Sequence, residues 1–256
     1  MKRILIKLFL TFFPGNKAAG ILLLFCFIPQ GSAFCAERLP WPVGEKLVFA
    51  IKWGLLTCGY ATMEVAGITE VDSIPAYRIV STARSAPFFD NFYKVRDNVE
   101  SIIRTEGLYS LRFSQNIQEG KYKKNIVINY DHENLTAEEN GHSFGITFGI
   151  QDVLSSLYFI RTKELVVGQY YEFDVGTGKK TWPLRVDIIR KETISVPAGE
   201  YDTIVVIPRL REEGIFKAKG DLEIWLTDDE LKIPVRMRSK IEFGSINALL
   251  IEKHIP

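Results

Sequence analysis

The side chains best suited to move a proton near neutral pH are histidines, and the chain has His132, His142 and His254. His132 lies in the polar stretch YDHEN, His142 follows Asn140-Gly141, and His254 stands two residues from the end. All three read as solvated loop residues rather than catalytic bases. Facing each other across one hairpin, His132 and His142 would be the pair to contribute to a metal site, but the solvated-loop reading is preferred and no metal is expected. Ser155-Ser156 falls in a helical pattern, where small residues packed against a sheet explain it better than a nucleophile does. Asp228, Asp229 and Glu230 gather three acids that could attract Ca²⁺. The EF-hand spacing and its glycine are missing, so a solvated hairpin turn is expected there. No G-x-S-x-G elbow, H-E-x-x-H or P-loop occurs. No catalytic residue and no cofactor is assigned.

Binding chemistry is better represented. The stretch EGKYKKN carries Lys121, Lys123 and Lys124 beside Tyr122. Basic and aromatic residues interleaved in this way can hold nucleic acid. In an exported acidic chain, anionic lipid headgroups, a surface glycan or an envelope protein are better partners. A charged strand edge that blocks aggregation is the simplest account. Phe88, Phe89, Phe92, Tyr93, Tyr158 and Phe159 cluster on the two segments that do not read as plain strands. Helices laid over a sheet or barrel mouth commonly line an apolar pocket; the alternative is that they plug the barrel. Trp53, Phe88, Phe89, Tyr158 and Trp225 are the candidate pocket residues.

The compartment is read from the first residues. Lys2, Arg3, Lys7 and Lys17 precede an apolar run from Ala18 to Ile28, and no acid occurs before Glu37. That run is too short for a bilayer span, which takes roughly 20 residues. A basic start, a short apolar core and small residues after it describe a secretory signal, here 1–33, cut after Ala33. A cut after Ala36 would place bulky Phe34 where a small residue is needed. Lipid attachment at Cys35 also needs a small residue before it, and Phe34 is not one. A second apolar patch from Ile4 to Phe13 offers an alternative in which the segment is retained. Without residues 1–33, Lys+Arg falls from 32 to 28 against 31 Asp+Glu, and the net charge moves from +1 to −3. Neither a nucleic-acid binder nor a polybasic membrane adsorber has that balance. Cys35 and Cys58 could pair in an oxidising periplasm, although a buried Cys58 thiol is the plainer reading.

The elements that must position these residues alternate with period two. In KLVFAIKW, Leu47, Phe49, Ile51 and Trp53 share a face. In KIPVRMRSKIEF, Ile233, Val235, Met237, Ser239, Ile241 and Phe243 would face inward in one long strand, with charged residues between them. Eleven similar runs recur, separated by turns such as Glu119-Gly120, Asn140-Gly141 and Pro197-Ala198-Gly199. This pattern predicts an all-β, mainly antiparallel domain over 34–256, a curved sheet or barrel, in one piece or as two β lobes. One helix is expected near 152–162, capped by Asp152, and a second helical turn at SAPFFDNFY.

The phrases GEKLVFAIKWGLLTCGYATMEV, YKVRDNVESIIRTEGLYSLRF, QEGKYKKN, QDVLSSLYFIRTKELVVGQYYEFDV, VPAGEYDTIVVIP and IWLTDDELKIPVRMRSKIEFGSINALL follow one another in order. Over about residues 41–254 the chain resembles the exported bacterial family catalogued as domain of unknown function 3108. The resemblance implies a periplasmic or outer-membrane-associated β protein and brings no catalytic residues. By architecture it is also similar to the curved half-barrels that carry lipoproteins between membranes. The reading favoured here is a non-enzymatic periplasmic protein that shelters a lipid, an acyl chain or another apolar ligand. An envelope scaffold or protein-interaction module is the second reading. A hydrolase, needing His132 or His142 to meet an acid and a nucleophile, is the third.

Overall fold

The computed structural model describes residues 40–212, 215–217, 222–241 and 244–256. The leader reading, Cys35 and Phe243 lie outside them. The strands are β1 (Lys46–Trp53), β2 (Leu56–Val71), β3 (Ile74–Ser85), β4 (Arg96–Arg104), β5 (Ser110–Glu119), β6 (Tyr122–Asp131), β7 (Thr136–Glu139), β8 (His142–Gly145), β9 (Tyr170–Thr177), β10 (Lys180–Val196), β11 (Gly199–Glu212), β12 (Ile215–Lys217), β13 (Glu223–Thr227), β14 (Pro234–Lys240) and β15 (Ser245–His254). Helix α1 covers Pro87–Tyr93 and α2 covers Val153–Arg161.

All ladders between strands are antiparallel, and the strands form one sheet in the order β8-β7-β6-β5-β4-β3-β2-β1-β15-β14-β13-β11-β10-β9, with β12 paired to β11 beside this row. The two halves are therefore not separate lobes joined by the helix: β1 pairs with both β2 and β15. Register shifts at Ile51/Lys52, Val65/Gly67, Ile188/Arg190 and Trp225/Leu226 bend and twist the strands. An inserted residue increases local twist, which is how a long sheet curls. The strand expected over 232–243 is shorter, Pro234–Lys240, because Lys232 turns through a positive φ of 46° before it. Ile233, Val235, Met237 and Ser239 are nonetheless all buried, as their alternation requires.

The outer strands β8 and β9 meet without a shared ladder. Segment 146–151 stitches them instead. Ser110 N–H donates to Ile150 O (3.1 Å), Gln151 N–H to Asp174 O (3.0 Å) and Gly176 N–H to Gln151 O (2.8 Å). Tyr130 Oη adds a bond to Gly176 O at 2.5 Å, and the Lys179 N–H donates to buried Glu139 at 2.8 Å. Groups that an open edge would leave exposed are satisfied in this way.

The registers sort the turns into two ends. The upper end carries the β1–β2, β5–β6, β7–β8 and β9–β10 turns and α1. The lower end carries the β4–β5, β6–β7 and β13–β14 turns. Helix α2 closes the lower end. Asp152 caps it, accepting from the Leu154 and Ser155 N–H groups (2.7 and 2.8 Å), while Ser155 Oγ accepts from the Asp152 N–H (2.7 Å). The second carboxylate oxygen accepts from Ser101 Oγ (2.5 Å) on β4 and Ser110 Oγ (2.8 Å) on β5. At the other end of α2, Arg161 donates two bonds to Glu45, at 2.7 and 2.6 Å, and a third to Leu231 O at 3.1 Å. Both side chains of the ion pair are wholly buried.

A buried charge that loses its partner is costly. Arg161→Met should lower stability by about 3–5 kcal/mol, measured by denaturant unfolding. Glu45→Leu/Arg161→Met, which removes both charges, should lose less than Arg161→Met alone.

Candidate functional site

The interior is filled unevenly. Under β1–β7 the inward positions include Phe49, Tyr77, Phe113 and Tyr130, all buried. Trp41 sits edge-on to Tyr77 and to Tyr158 of α2, with ring centroids at 5.0 and 5.3 Å. These rings fill one flank of α2. The other flank, Val153, Ser156, Leu157 and Ile160, faces the inward residues of β9, β10, β11, β13 and β14. Those strands line the hollow with Val175, Leu184, Val186, Val206, Pro208, Leu210, Ile224 and Met237, while their inward rings Phe173 and Trp182 lie outside that lining. Aliphatic side chains do not reach as far as rings, and a hollow remains. The centre of a water-sized sphere can move through about 70 Å³ of it, and the wider atom-free space, counting the side open to solvent, is about 680 Å³. Helix α2 is its floor, and Leu210 and Leu222 stand at the upper end of its walls. Ser156 supplies the only polar side chain among the described residues that line it.

The five expected pocket residues are not brought together here. Tyr158 is buried, but on the filled flank of α2. Trp53 is half-buried in the core near the β1–β2 turn. Phe88 is exposed and Phe89 half-buried on α1, which has no buried residue. Trp225 points away from the hollow. Its neighbours Ile224 and Leu226 alternate inward, and its ring lies on the convex face beneath Arg236 and Arg238, 4.7 and 5.5 Å from its centroid. Its indole N–H donates to Glu192 at 2.6 Å. Burial of Trp225 comes from this arginine cover, which alternation alone does not reveal. The residues that do wall the hollow were within the strands read from sequence. What marks them is a stretch of inward aliphatics, Leu184 and Val186 after Trp182 on β10 and Val206, Pro208 and Leu210 on β11.

The histidines do not form a centre. His132 is at the lower end, its ring tilted 44° against that of Tyr109 with centroids 4.2 Å apart, and bonded to Ser110 O at 2.8 Å. Burial pushes its pKa down. His142 is exposed at the start of β8, opposite Glu139 at the upper end. Asp229 accepts from Thr227 Oγ1 and from the N–H groups of Leu231 and Lys232, which is a solvated turn. Among the described residues no group of three or more His, Cys, Asp or Glu could hold a metal ion. Ser155 and Ser110 are spent on the Asp152 cap. Burial pushes the Asp152 carboxyl up, against the bonds it accepts. Cys58 has no disulfide partner among the described residues; it is half-buried, and its thiol pKa is raised by burial. Lys121, Lys123 and Lys124 are exposed on the β5–β6 hairpin, whose upper part extends past β7.

A long, curled antiparallel sheet, not closed by a ladder and plugged at one end by α2, defines a β-barrel-like fold. A family model described as protein of unknown function (DUF3108) matches residues 48–251, and the chain belongs to that family. Its fold is similar to that of a β-barrel-like protein of another domain of unknown function, DUF1849, from Brucella abortus. The TM-score is 0.58 at 11% identity, over 84% of this chain and 99% of that one. A Bacteroides fragilis protein with a YmcC-like fold aligns at a TM-score of 0.38 and 12% identity, over 86% and 100% of the two chains. A comparison with curated proteins finds no match. Among the described residues no helix is long and apolar enough to cross a membrane.

One titrating group faces the interior near the upper mouth. Burial of Asp97 raises its pKa to about 7; the charge of Glu119 adds to this and the Gln118 N–H, 3.0 Å from Oδ1, opposes it. An unfolded aspartate titrates near 3.9. The contribution of Asp97 is therefore full below about pH 4 and is lost as pH rises to about 7. The total loss is at most about 4 kcal/mol. Asp97→Asn keeps the acceptor and removes the titration. Urea midpoints should show a flatter pH dependence between about pH 4 and 7 and a more stable protein at about pH 8.

Proposed function

We propose that this protein is a non-enzymatic component of the bacterial envelope, exported to the periplasm, that holds an acyl chain or another small apolar ligand in the hollow above α2. The observation that carries this reading is the lining. A water-facing cavity walled by aliphatic side chains with a single hydroxyl stabilises apolar surface and little else. Such a space inside a well-packed domain leaves dispersion contacts unmade, and an apolar occupant would supply them. The export reading is supported by the basic and apolar pattern of residues 1–33. The Asp152 cap and the Arg161–Glu45 pair are consumed in holding α2, so the reading assigns them a structural role.

Val206→Phe tests it by adding a ring to the hollow. In a filled core such a change costs about 1–3 kcal/mol. Here stability should change by less than about 1 kcal/mol, since free space receives the ring. Affinity for a fluorescent long-chain fatty acid should fall about tenfold, which is about 1.4 kcal/mol. Unchanged affinity would sink the assignment of this hollow.

A further inference from the structure

The upper end of the sheet carries apolar side chains that the core does not use. The β1–β2 turn reads Trp53-Gly54-Leu55-Leu56, with leucines where turns favour Asn, Asp or Gly. Leu55 is 97% exposed and Leu56 57%. Beside it stands α1. Gly59 pairs with Ser85 at the end of β3, and the Ala86 N–H donates to Cys58 O at 2.9 Å, so the helix starts next to the turn. Phe88 and Phe92 are 68% and 71% exposed, and their rings touch each other at a 5.5 Å centroid distance.

The phenylalanines do not hold α1 in place. Asp90 does, through Ser85 Oγ and a two-bond pair with Arg96 at 3.0 and 2.5 Å. That pair keeps the Asp90 carboxyl low, at about 2. The C-terminal end of α1 is fixed by the β5–β6 turn, where the Gly120 N–H donates to Lys94 O at 2.8 Å. The rings are thus presented on a clamped helix rather than packed.

Charge divides between the two ends. Lys94, Lys121, Lys123 and Lys179 are exposed at the upper end. Among the described residues its acids are largely engaged: Asp90 is paired, Glu119 and Glu139 are buried, and Glu138 is exposed. Among the described residues the lower end exposes Asp72, Glu106, Asp131, Glu133 and Asp228 to Glu230 against Lys46, Lys191 and Lys253, so acids outnumber lysines there. Exposed Leu and Phe side chains at the same end as these lysines match the interface of a bilayer with anionic headgroups: the apolar tips enter the acyl boundary and the ammonium groups stay at headgroup level.

We propose that this end of the sheet docks on a lipid bilayer containing anionic headgroups, through Leu55, Leu56, Phe88 and Phe92, with the lysine rim giving the preference for negative charge. The inference stands on the patch and not on what the hollow contains.

Flotation of the purified protein with vesicles tests it. The protein should float with vesicles of phosphatidylglycerol in phosphatidylcholine, and less with phosphatidylcholine alone. Phe88→Ser/Phe92→Ser and Leu55→Ser should each lower partitioning about tenfold or more. Lys121→Glu/Lys123→Glu should remove the preference for the anionic vesicles. These side chains are exposed, so melting temperature and fatty-acid affinity should match the parent protein. At the lower end, Phe148→Ser should leave flotation unchanged. A parent protein that stays with the soluble fraction in both mixtures would overturn the proposal. So would upper-end variants that float as well as the parent, or an equal loss from Phe148→Ser. Failure of Val206→Phe to weaken fatty-acid binding removes the ligand reading and leaves docking intact; the converse result separates them the other way.

Discussion

The architecture depends on a charge buried at the bottom of a curled sheet. Arg161 and Glu45 lose all contact with water and regain only each other, the Leu231 carbonyl and the face of Tyr158. Taking two ions out of water costs several kcal/mol each, and only good geometry with every donor used offsets that. The return is positional. The pair joins the last turn of α2 to the residue before β1, and the Asp152 cap joins its first turn to β4 and β5. A short helix pinned at both ends by polar contacts cannot slide to optimise apolar packing. It therefore stays where it leaves one flank crowded with rings and the other facing an unfilled space.

The sheet itself has a related division. Ladders run unbroken from β8 to β9 through the whole strand row, yet the two outer strands meet only through the stitching of segment 146–151 and a few side-chain bonds. A fully laddered barrel would fix its own girth. This one is held by contacts at one seam and by the helix inside it, so the girth is set partly by what the interior contains. The same overall plan in the Brucella abortus protein, at 11% identity, shows that the plan does not require these particular side chains. In this chain the rings of β1–β6 fill one flank of α2, and the hollow on the other flank is lined by aliphatic residues.

Much of the fold was legible in the sequence. Period-two alternation marked most of the strands, and Asp152 before VLSSLYFIR marked α2 almost to the residue, since a cap and an apolar stripe are local signals. The four-residue strands β7 and β8 escaped because TAEE and HSFG carry no alternating apolar run. They are strands because β6 offers them partners. The run from Leu184 to Val196 was divided by the bulge at Ile188/Arg190, which moves side chains to the opposite face. The site was less legible. Trp225 looked like a pocket residue because it is large and apolar, and its arginine cover comes from strands that only folding places beside it. The phenylalanines of α1 clustered in sequence as expected, but their exposure depends on the Asp90–Arg96 clamp. The hollow is a difference in volume between two halves of one interior, and no local pattern encodes such a difference.

The central claim is that an apolar occupant completes the half of the interior that the chain leaves open. A crystal structure of the protein purified from its native envelope, with no lipid or detergent added, tests it most directly. Continuous elongated density lying on α2 between Leu157 and Met237 is the predicted result. A hollow closed by the protein's own side chains would contradict it.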